Sequence, residues 1–288
     1  KFLRKLEICI NKNFINFESY SLLTESASQN TLSTIGAFLY VILFKTAKTL
    51  LKKFIPSNPT WIKKPKHSED KLNISNADIR VCFFNILDET LKNHIFNDVN
   101  KQDTLFDLQL ANSINLSQKS NSVDIILTSP PYCTRIDYAI ATSIELAVIQ
   151  VTNIRTLREN LIGTSTIRKQ IVTSKEQWGE TCNTFLNNVE NHSSVASSSY
   201  YLKNHLQYFD DLYQSLENIS KVLKLNGLFI PVVQNSFYKE INNDLAEVIV
   251  EMSANFGMSL IRHDKFESKI NMSSINSRSN KYIVNKKI

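Results

Sequence analysis

Glycine and paired cysteine are scarce in this 288-residue chain, and both scarcities exclude particular structures. The five glycines lie far apart, so no two of them can build a Gly-x-Gly loop. The four cysteines include no Cys-x-x-Cys pair, which argues against a disulfide framework or a zinc site. This cysteine usage is typical of reduced thiols, and we expect a cytoplasmic protein that binds no metal.

Long apolar runs are also lacking. The longest, residues 35–44, has about half the length that a membrane span requires, and the N-terminus contains no visible signal peptide. We therefore expect no membrane association. What the chain does have is an excess of basic residues, with a net charge of +6 and a pI near 9.0, which favours a polyanionic partner.

The pattern of apolar residues divides the chain into three zones. Residues 1–70 form an N-terminal region in which a helix is expected from Thr31 to Phe54. Residues 71–150 and 205–288 alternate between expected strands and helices, which predicts parallel crossover units of an α/β sheet. The expected strands are 79–84, 125–127, 228–233, 258–261 and 281–284, and the expected helices are 138–151, 208–225 and 241–256.

The third zone is an insertion, residues 151–204, that lacks clear periodicity. Its Ser- and Asn-rich stretch, residues 191–199, predicts an exposed loop. The pair Asn226-Gly227, which follows the helix expected at 208–225, is a typical signal for the C-terminal end of a helix.

Residues 123–132, Val-Asp-Ile-Ile-Leu-Thr-Ser-Pro-Pro-Tyr, are the most informative part of the chain. The apolar run at 125–127 predicts a buried central strand. Pro130 and Pro131 cannot continue a ladder or a helix interior, so we expect a rigid lip, residues 129–132. The carboxyl end of a strand is where open α/β sheets bind ligands, and Ser129 and Tyr132 would face such a crevice. The alternative is an ordinary Pro-Pro surface loop.

The tetrapeptide Ser129-Pro130-Pro131-Tyr132 resembles motif IV of the DNA methyltransferases that methylate an exocyclic amine, N4 of cytosine or N6 of adenine. The resemblance implies a Rossmann-like class I methyltransferase fold, mostly parallel with a C-terminal antiparallel pair. It also implies S-adenosylmethionine as the methyl donor and double-stranded DNA as the substrate. Serine at the first motif position favours N4 of cytosine in this family.

The chemistry of amine methylation explains these residue types. An exocyclic amine is a poor nucleophile because its lone pair is delocalised into the ring. The Ser129 hydroxyl and the carbonyl preceding Pro131 would accept its two N–H bonds and stabilise the positive charge that develops during attack. Tyr132 would stack on a base that has been flipped out of the duplex.

The resemblance also implies roles for residues outside the lip. Asn85, at the end of the strand expected at 79–84, takes the place of motif III and would contact the cofactor, as would Thr128. The insertion would recognise the target sequence, and Gln234, Asn235, Ser236 and Lys239 are further candidates for the pocket. Basic residues would hold the DNA backbone; these are Arg135, Arg155, Arg158, Arg168 and Lys169, although Arg135 could instead pair with Asp137.

One element of the family pattern is missing. Motif I, an aromatic-x-Gly-x-Gly loop that approaches the cofactor, is not found in this chain. Three explanations stay open: the loop precedes Lys1, it belongs to a second chain, or the protein is a catalytically silent DNA-binding subunit of a split methyltransferase or restriction/defence complex. A weaker alternative is methylation of RNA or of a protein amide.

Overall fold

The computed structural model describes residues 34–56, 62–63, 65–95, 107, 111–133 and 136–266. These residues form a mixture of helices and short strands, with one two-stranded parallel sheet and one two-stranded antiparallel sheet. The chain divides into two compact units, one drawn from Lys1–Leu110 and Tyr138–Leu157 and the other from Ala111–Asp137 and Arg158–Ile288. This division differs from the sequence boundaries expected near residues 70, 150 and 204.

The described part of the chain contains no helix that is both long and apolar enough to cross a membrane. Within those same residues, no three His, Cys, Asp or Glu side chains come together as metal ligands would. Cys82, Cys133 and Cys182 form no disulfide among the described residues, and burial raises the pKa of the Cys182 thiol.

The first unit is helical. Helix α1 (Thr34–Leu50) continues into a 3₁₀ turn (Lys52–Phe54), which confirms the helix expected in this region over its described residues. Helix α1 packs on α2 (Asn76–Ile95), and two short helices, α3 (Tyr138–Ala141) and α4 (Ser143–Val148), follow later in the chain. The small core consists of Tyr40, Ile42, Leu43 and Phe83.

Helix α2 overturns one prediction. A strand was expected at 79–84, but these residues lie inside the helix. The helix starts with a reciprocal cap: the Asp78 amide donates to the Ser75 hydroxyl over 3.1 Å, and the Ser75 amide donates to the Asp78 carboxylate over 3.3 Å. Ile79 and Phe83, four residues apart, are then buried on the same face. The β-rich composition of the segment was outweighed by this cap and by helical spacing.

The second unit contains a parallel pair of strands, β1 (Val123–Thr128) and β2 (Leu223–Pro231). Thr128 pairs with Pro231 at the carboxyl ends of both strands. The strands expected at 125–127 and 228–233 are therefore confirmed. Pro231 is the last residue of its strand, and the next hydrogen bond to β1 is donated by the Val232 amide, which reaches the Thr128 carbonyl over 2.8 Å.

The prediction that β1 is a buried central strand is wrong for the described residues. The side chain of Ile125 is 58% exposed and that of Leu127 is 70% exposed. On the other face, Phe229 of β2 packs against the core of the unit. Among the described residues, the sheet is thus covered on one face only.

The short helix α5 (Ile154–Glu159) begins in the first unit, and three longer helices accompany the strands of the second: α6 (Glu180–Glu190), α7 (Leu202–Val222) and α8 (Leu245–Ala254). A 3₁₀ turn (Glu176–Trp178) precedes α6, and a π-helical turn (Ser197–Tyr201) precedes α7. The core lies among α6, α7 and α8, with Trp178, Phe209 and Val248 fully buried. Part of the expected insertion therefore belongs to the core, since α6 buries Phe185 and Val189 there.

Two expected helix boundaries near the strands, the end of 208–225 and the start of 241–256, were wrong. Helix α7 ends at Val222, so Asn226-Gly227 is not a helix end; it lies in β2 where the strand register shifts, with Asn226 at φ 62°. Residues 241–243 form strand β4 (Ile241–Asn243), which pairs antiparallel with β3 (Ser236–Tyr238). Helix α8 begins later because the Asp244 side chain caps it through the Glu247 amide.

The antiparallel pair expected at the C-terminus is not found where it was placed. Residues 258–261 have no regular secondary structure, and the strand expected at 281–284 lies outside the described residues. The antiparallel pair of the described chain is instead the β3–β4 hairpin, directly after β2.

Candidate active site

The lip, residues 129–132, begins directly after the last residue of β1. The Thr128 carbonyl accepts the Val232 amide over 2.8 Å, so the lip starts beside the chain that leaves β2. Ser129 is exposed, and its hydroxyl makes no hydrogen bond with any other described residue. The end of a parallel strand thus presents a side-chain oxygen that is available to a ligand.

The far end of the lip is anchored in the core. Tyr208 of α7 is 1% exposed, and its hydroxyl donates to the Pro131 carbonyl over 2.8 Å. Cys133, the residue after the lip, is buried in the core cluster, as expected for a small residue that fills space. Tyr132, which lies between Pro131 and Cys133 in the chain, is half-buried, so part of its side chain is accessible.

Gly163 approaches the lip from the segment after α5. Its φ is +76°, and a Cβ atom at this position would lie 2.8 Å from the Tyr132 carbonyl oxygen and 3.6 Å from Pro131 Cβ. Only glycine fits here, because both the backbone angle and the close approach exclude a side chain. Gly163 thus lets the segment pack directly on the main chain of the lip.

The structure does not support the prediction that Asn85 ends a strand and contacts the cofactor there. The residue is exposed in the middle of α2, and the strand whose end it was to occupy does not exist. Thr128, the other residue expected to contact the cofactor, does lie at the end of β1 and is half-buried.

Two of the expected DNA-binding arginines bond to the chain itself. Arg158 bonds to the Asp137 carboxylate over 2.5 Å and donates to the Ser165 hydroxyl over 3.0 Å. Arg168 donates to both carboxylate oxygens of Asp211, over 2.6 and 2.5 Å. This hydrogen-bonded pairing raises the pKa of Arg168 and keeps it charged. Both guanidinium groups therefore have structural partners.

The other expected DNA contacts are placed differently. Arg155 and Lys169 are exposed, whereas Arg135 lies outside the described residues. Among the pocket candidates after β2, Gln234 and Asn235 are half-buried, and Ser236 is buried and accepts the Asn243 side-chain amide over 3.0 Å. Lys239 is exposed in the turn of the hairpin, with φ 53°.

A polar cluster near the hairpin was not foreseen. His192 Nε2 donates to the Glu240 carboxylate over 2.8 Å, and this bond lowers the pKa of Glu240. His192 Nδ1 accepts the Ser194 amide over 3.0 Å and lies 2.7 Å from the Ser194 hydroxyl. Ser194 and Ser197 both hydrogen-bond the hydroxyl of Tyr238. The bonds from His192 to Glu240 and from the two serines to Tyr238 join residues 41 to 48 positions apart, so no local pattern could have revealed them.

A cavity of about 320 Å³ lies beside the segment that carries Gly163. Its wall includes Ile162, Arg168 and Asp211, and amide side chains from Asn112, Asn160 and Gln170 line the rest together with Ile114 and Glu159. It is therefore a mixed polar and apolar cavity.

Comparison with other proteins assigns no function to these residues. No family model, no curated protein and no solved structure matches the chain.

Proposed function

We propose that this protein contributes the amine-activating part of a DNA methyltransferase that methylates N4 of cytosine, in preference to N6 of adenine. The observation that carries the proposal is the lip itself. A Ser-Pro-Pro-Tyr segment follows a parallel strand directly, its serine hydroxyl is accessible, and its far end is anchored by Tyr208. Each of these features is needed to hold an amine in one orientation.

The residues of the lip have distinct roles in this proposal. The Ser129 hydroxyl and the Pro130 carbonyl accept the two N–H bonds of the amine, which localises its lone pair and stabilises positive charge as it is alkylated. The Pro131 carbonyl is already occupied by Tyr208, so it is not one of these acceptors. Tyr132 stacks on the extruded base.

S-adenosylmethionine is the proposed methyl donor, but the described residues do not make a site for it. Thr128 stands at the strand end, whereas Asn85 does not, and the sequence contains no close pair of glycines. We therefore assign this chain's residues to the amine only. In this proposal the cofactor site comes from another part of the protein or from a second chain.

Double-stranded DNA is the proposed partner. The net charge of +6 favours a polyanion, and Lys169 is an exposed cation that can contact a phosphate. We do not assign this role to Arg158 or Arg168, because the carboxylates of Asp137 and Asp211 neutralise them.

A second candidate function is a catalytically silent DNA-binding subunit of a larger methyltransferase or restriction complex. The scarcity of glycine favours it, because the chain's own sequence offers no backbone loop that could approach a cofactor closely. Cofactor binding separates the two candidates.

The test is transfer of labelled methyl from S-adenosylmethionine to DNA by the full chain, alone and with its native partners. We expect Ser129→Ala to reduce the rate by about 100- to 1000-fold, the loss typical of one preorganised polar group in an active site. Ser120→Ala, an exposed serine in the turn before β1, is the matched control and should leave the rate unchanged.

Tyr132 provides a second comparison in the same assay. Tyr132→Ala should lower the rate about 10- to 100-fold because stacking on the base is lost, whereas Tyr132→Phe keeps the ring and most of the rate. DNA binding without cofactor binding or transfer, even with partners present, would instead establish the silent subunit.

A further inference from the structure

Helix α7 has a buried polar side, which is unusual for a helix at the centre of a core. The side chains that form it recur at spacings of three and four residues, so they lie along one stripe of the helix. None of them is more than 7% exposed. We refer to this set as the polar stripe; its members are Asn204, Gln207, Tyr208, Asp211 and Ser215.

The stripe holds the segment after α5 by its main chain. Asn204 donates its side-chain amide to the Thr164 carbonyl over 2.8 Å. The Gln207 side chain accepts the Arg168 amide over 2.6 Å and donates to the Thr166 carbonyl over 3.2 Å. These bonds resemble the pairing that a neighbouring strand would provide, and they fix residues 164–168 along the helix.

Asp211 and Ser215 extend the same arrangement. Asp211 pairs with the Arg168 guanidinium, and Ser215 hydrogen-bonds the Ser113 hydroxyl over 2.9 Å. Every member of the stripe thus bonds to a residue distant in sequence. The polar stripe therefore fixes residues 164–168 and Ser113 in position against α7.

Tyr208 is the member of the polar stripe that contacts the lip. Its hydroxyl bonds to the Pro131 carbonyl, and its ring lies near Gly163, where an added Cβ would be 3.8 Å from Tyr208 Cδ2. The same glycine packs on the Tyr132 carbonyl. The lip is therefore clamped between a phenol hydroxyl and a glycine main chain.

We propose that Tyr208 is a positioning residue for the lip: its hydroxyl fixes the Pro131 carbonyl and thereby the orientation of Ser129 and Tyr132, with Gly163 completing the clamp. This inference rests on the proposed function, since the orientation matters for catalysis only if the lip receives the amine. Tyr208 does not touch the substrate. It acts through the peptide that joins Pro131 to Tyr132.

The test combines kinetics with hydrogen exchange. Tyr208→Phe keeps the buried ring and removes only the hydroxyl. We expect kcat to fall about 10- to 100-fold with KM for DNA unchanged, because misplaced reacting groups slow the chemical step without weakening binding. The amides of Tyr132 and Cys133 should exchange about tenfold faster, a readout that needs no enzymatic activity.

Two further variants make the test specific. Tyr213→Phe is the matched control: Tyr213 lies on the same helix, its ring packs on Phe256, and its hydroxyl has no hydrogen-bond partner among the described residues. It should change neither kcat nor exchange. Gly163→Ala, which places a methyl group against the Tyr132 carbonyl, should reproduce the effects of Tyr208→Phe.

The outcomes distinguish this inference from the proposed function. Faster exchange at Tyr132 in Tyr208→Phe, with wild-type protein inactive under all conditions, supports the clamp and removes the methyltransferase proposal. Unchanged exchange, or an active enzyme whose kcat is unaffected by Tyr208→Phe, overturns the clamp. A parallel fall in kcat and rise in exchange supports both.

Discussion

His205 is held uncharged by its surroundings. It is 4% exposed on α7, and its Nδ1 donates to the Tyr201 carbonyl over 2.7 Å. The ring packs edge-on against Phe185 and Tyr238, with centroids 5.1 and 5.8 Å apart. Burial lowers its pKa below the ordinary 6.5, because the aromatic surroundings cannot solvate a positive charge.

This histidine predicts how stability depends on pH. Below pH 6.5 the unfolded chain binds a proton at His205 that the folded chain does not, so the free energy of unfolding should decrease as the pH falls from 6.5 toward the lower folded pKa. One proton contributes at most about 1.4 kcal/mol per pH unit. Urea denaturation at pH 7.5, 6.5 and 5.5 measures this slope.

Substitution identifies the group responsible. His205→Gln should reduce the slope between pH 6.5 and 5.5, while His263→Gln, at an exposed position, should leave it as in the wild-type chain. An identical slope in His205→Gln and wild type would show that another group causes the acid sensitivity.

At the scale of elements, the first turn of α2 gives a direct test of why this segment is a helix. The reciprocal bonds between Ser75 and Asp78 satisfy amides that the helix leaves unpaired at its start. Ser75→Ala should destabilise that turn by about 0.5–2 kcal/mol and increase hydrogen exchange of its amides. Ser68→Ala, an exposed serine upstream, is the control. Equal exchange in both variants would contradict the assigned cap.

The elements that sequence patterns predicted well are those whose signals are local. Helix α1 and the strands β1 and β2 were expected because apolar runs and proline breakers stand next to one another in the chain. The lip was expected for the same reason. Helix α2 was missed although its cap is local, because the β-branched and aromatic residues at 79–84 were given more weight than Ser75 and Asp78.

The polar stripe of α7 shows what local patterns cannot reveal. Asn204, Gln207 and Asp211 look like a solvated helix face, and only the folded chain brings them to their partners 39 to 43 residues away. The pairing of Arg168 with Asp211 likewise changes a residue expected to contact DNA into a structural one. The roles of residues whose partners are distant in sequence therefore become visible only in the folded structure.

At the scale of the molecule, the β1–β2 sheet leaves one apolar face uncovered within the described part of the chain. Ile125 pairs with Leu228 and Leu127 with Ile230, and all four side chains are at least 42% exposed. Parallel strands in α/β proteins are normally covered on both faces, so this bare surface is a distinctive property of the second unit.

The exposed face predicts dye binding. The protein should bind the fluorescent dye ANS, which reports accessible apolar surface, and the double substitution Leu127→Asn with Ile230→Asn should remove most of that signal. Because the side chains of Leu127 and Ile230 are 70% and 44% exposed, we expect the melting temperature to change little, as for surface substitutions within about 0.5 kcal/mol. Val195→Asn, at an isolated side chain that is 91% exposed, should leave dye binding unchanged. A loss of several degrees in melting temperature, with no dye bound by the wild-type chain, would instead mean that this face is buried in the intact protein.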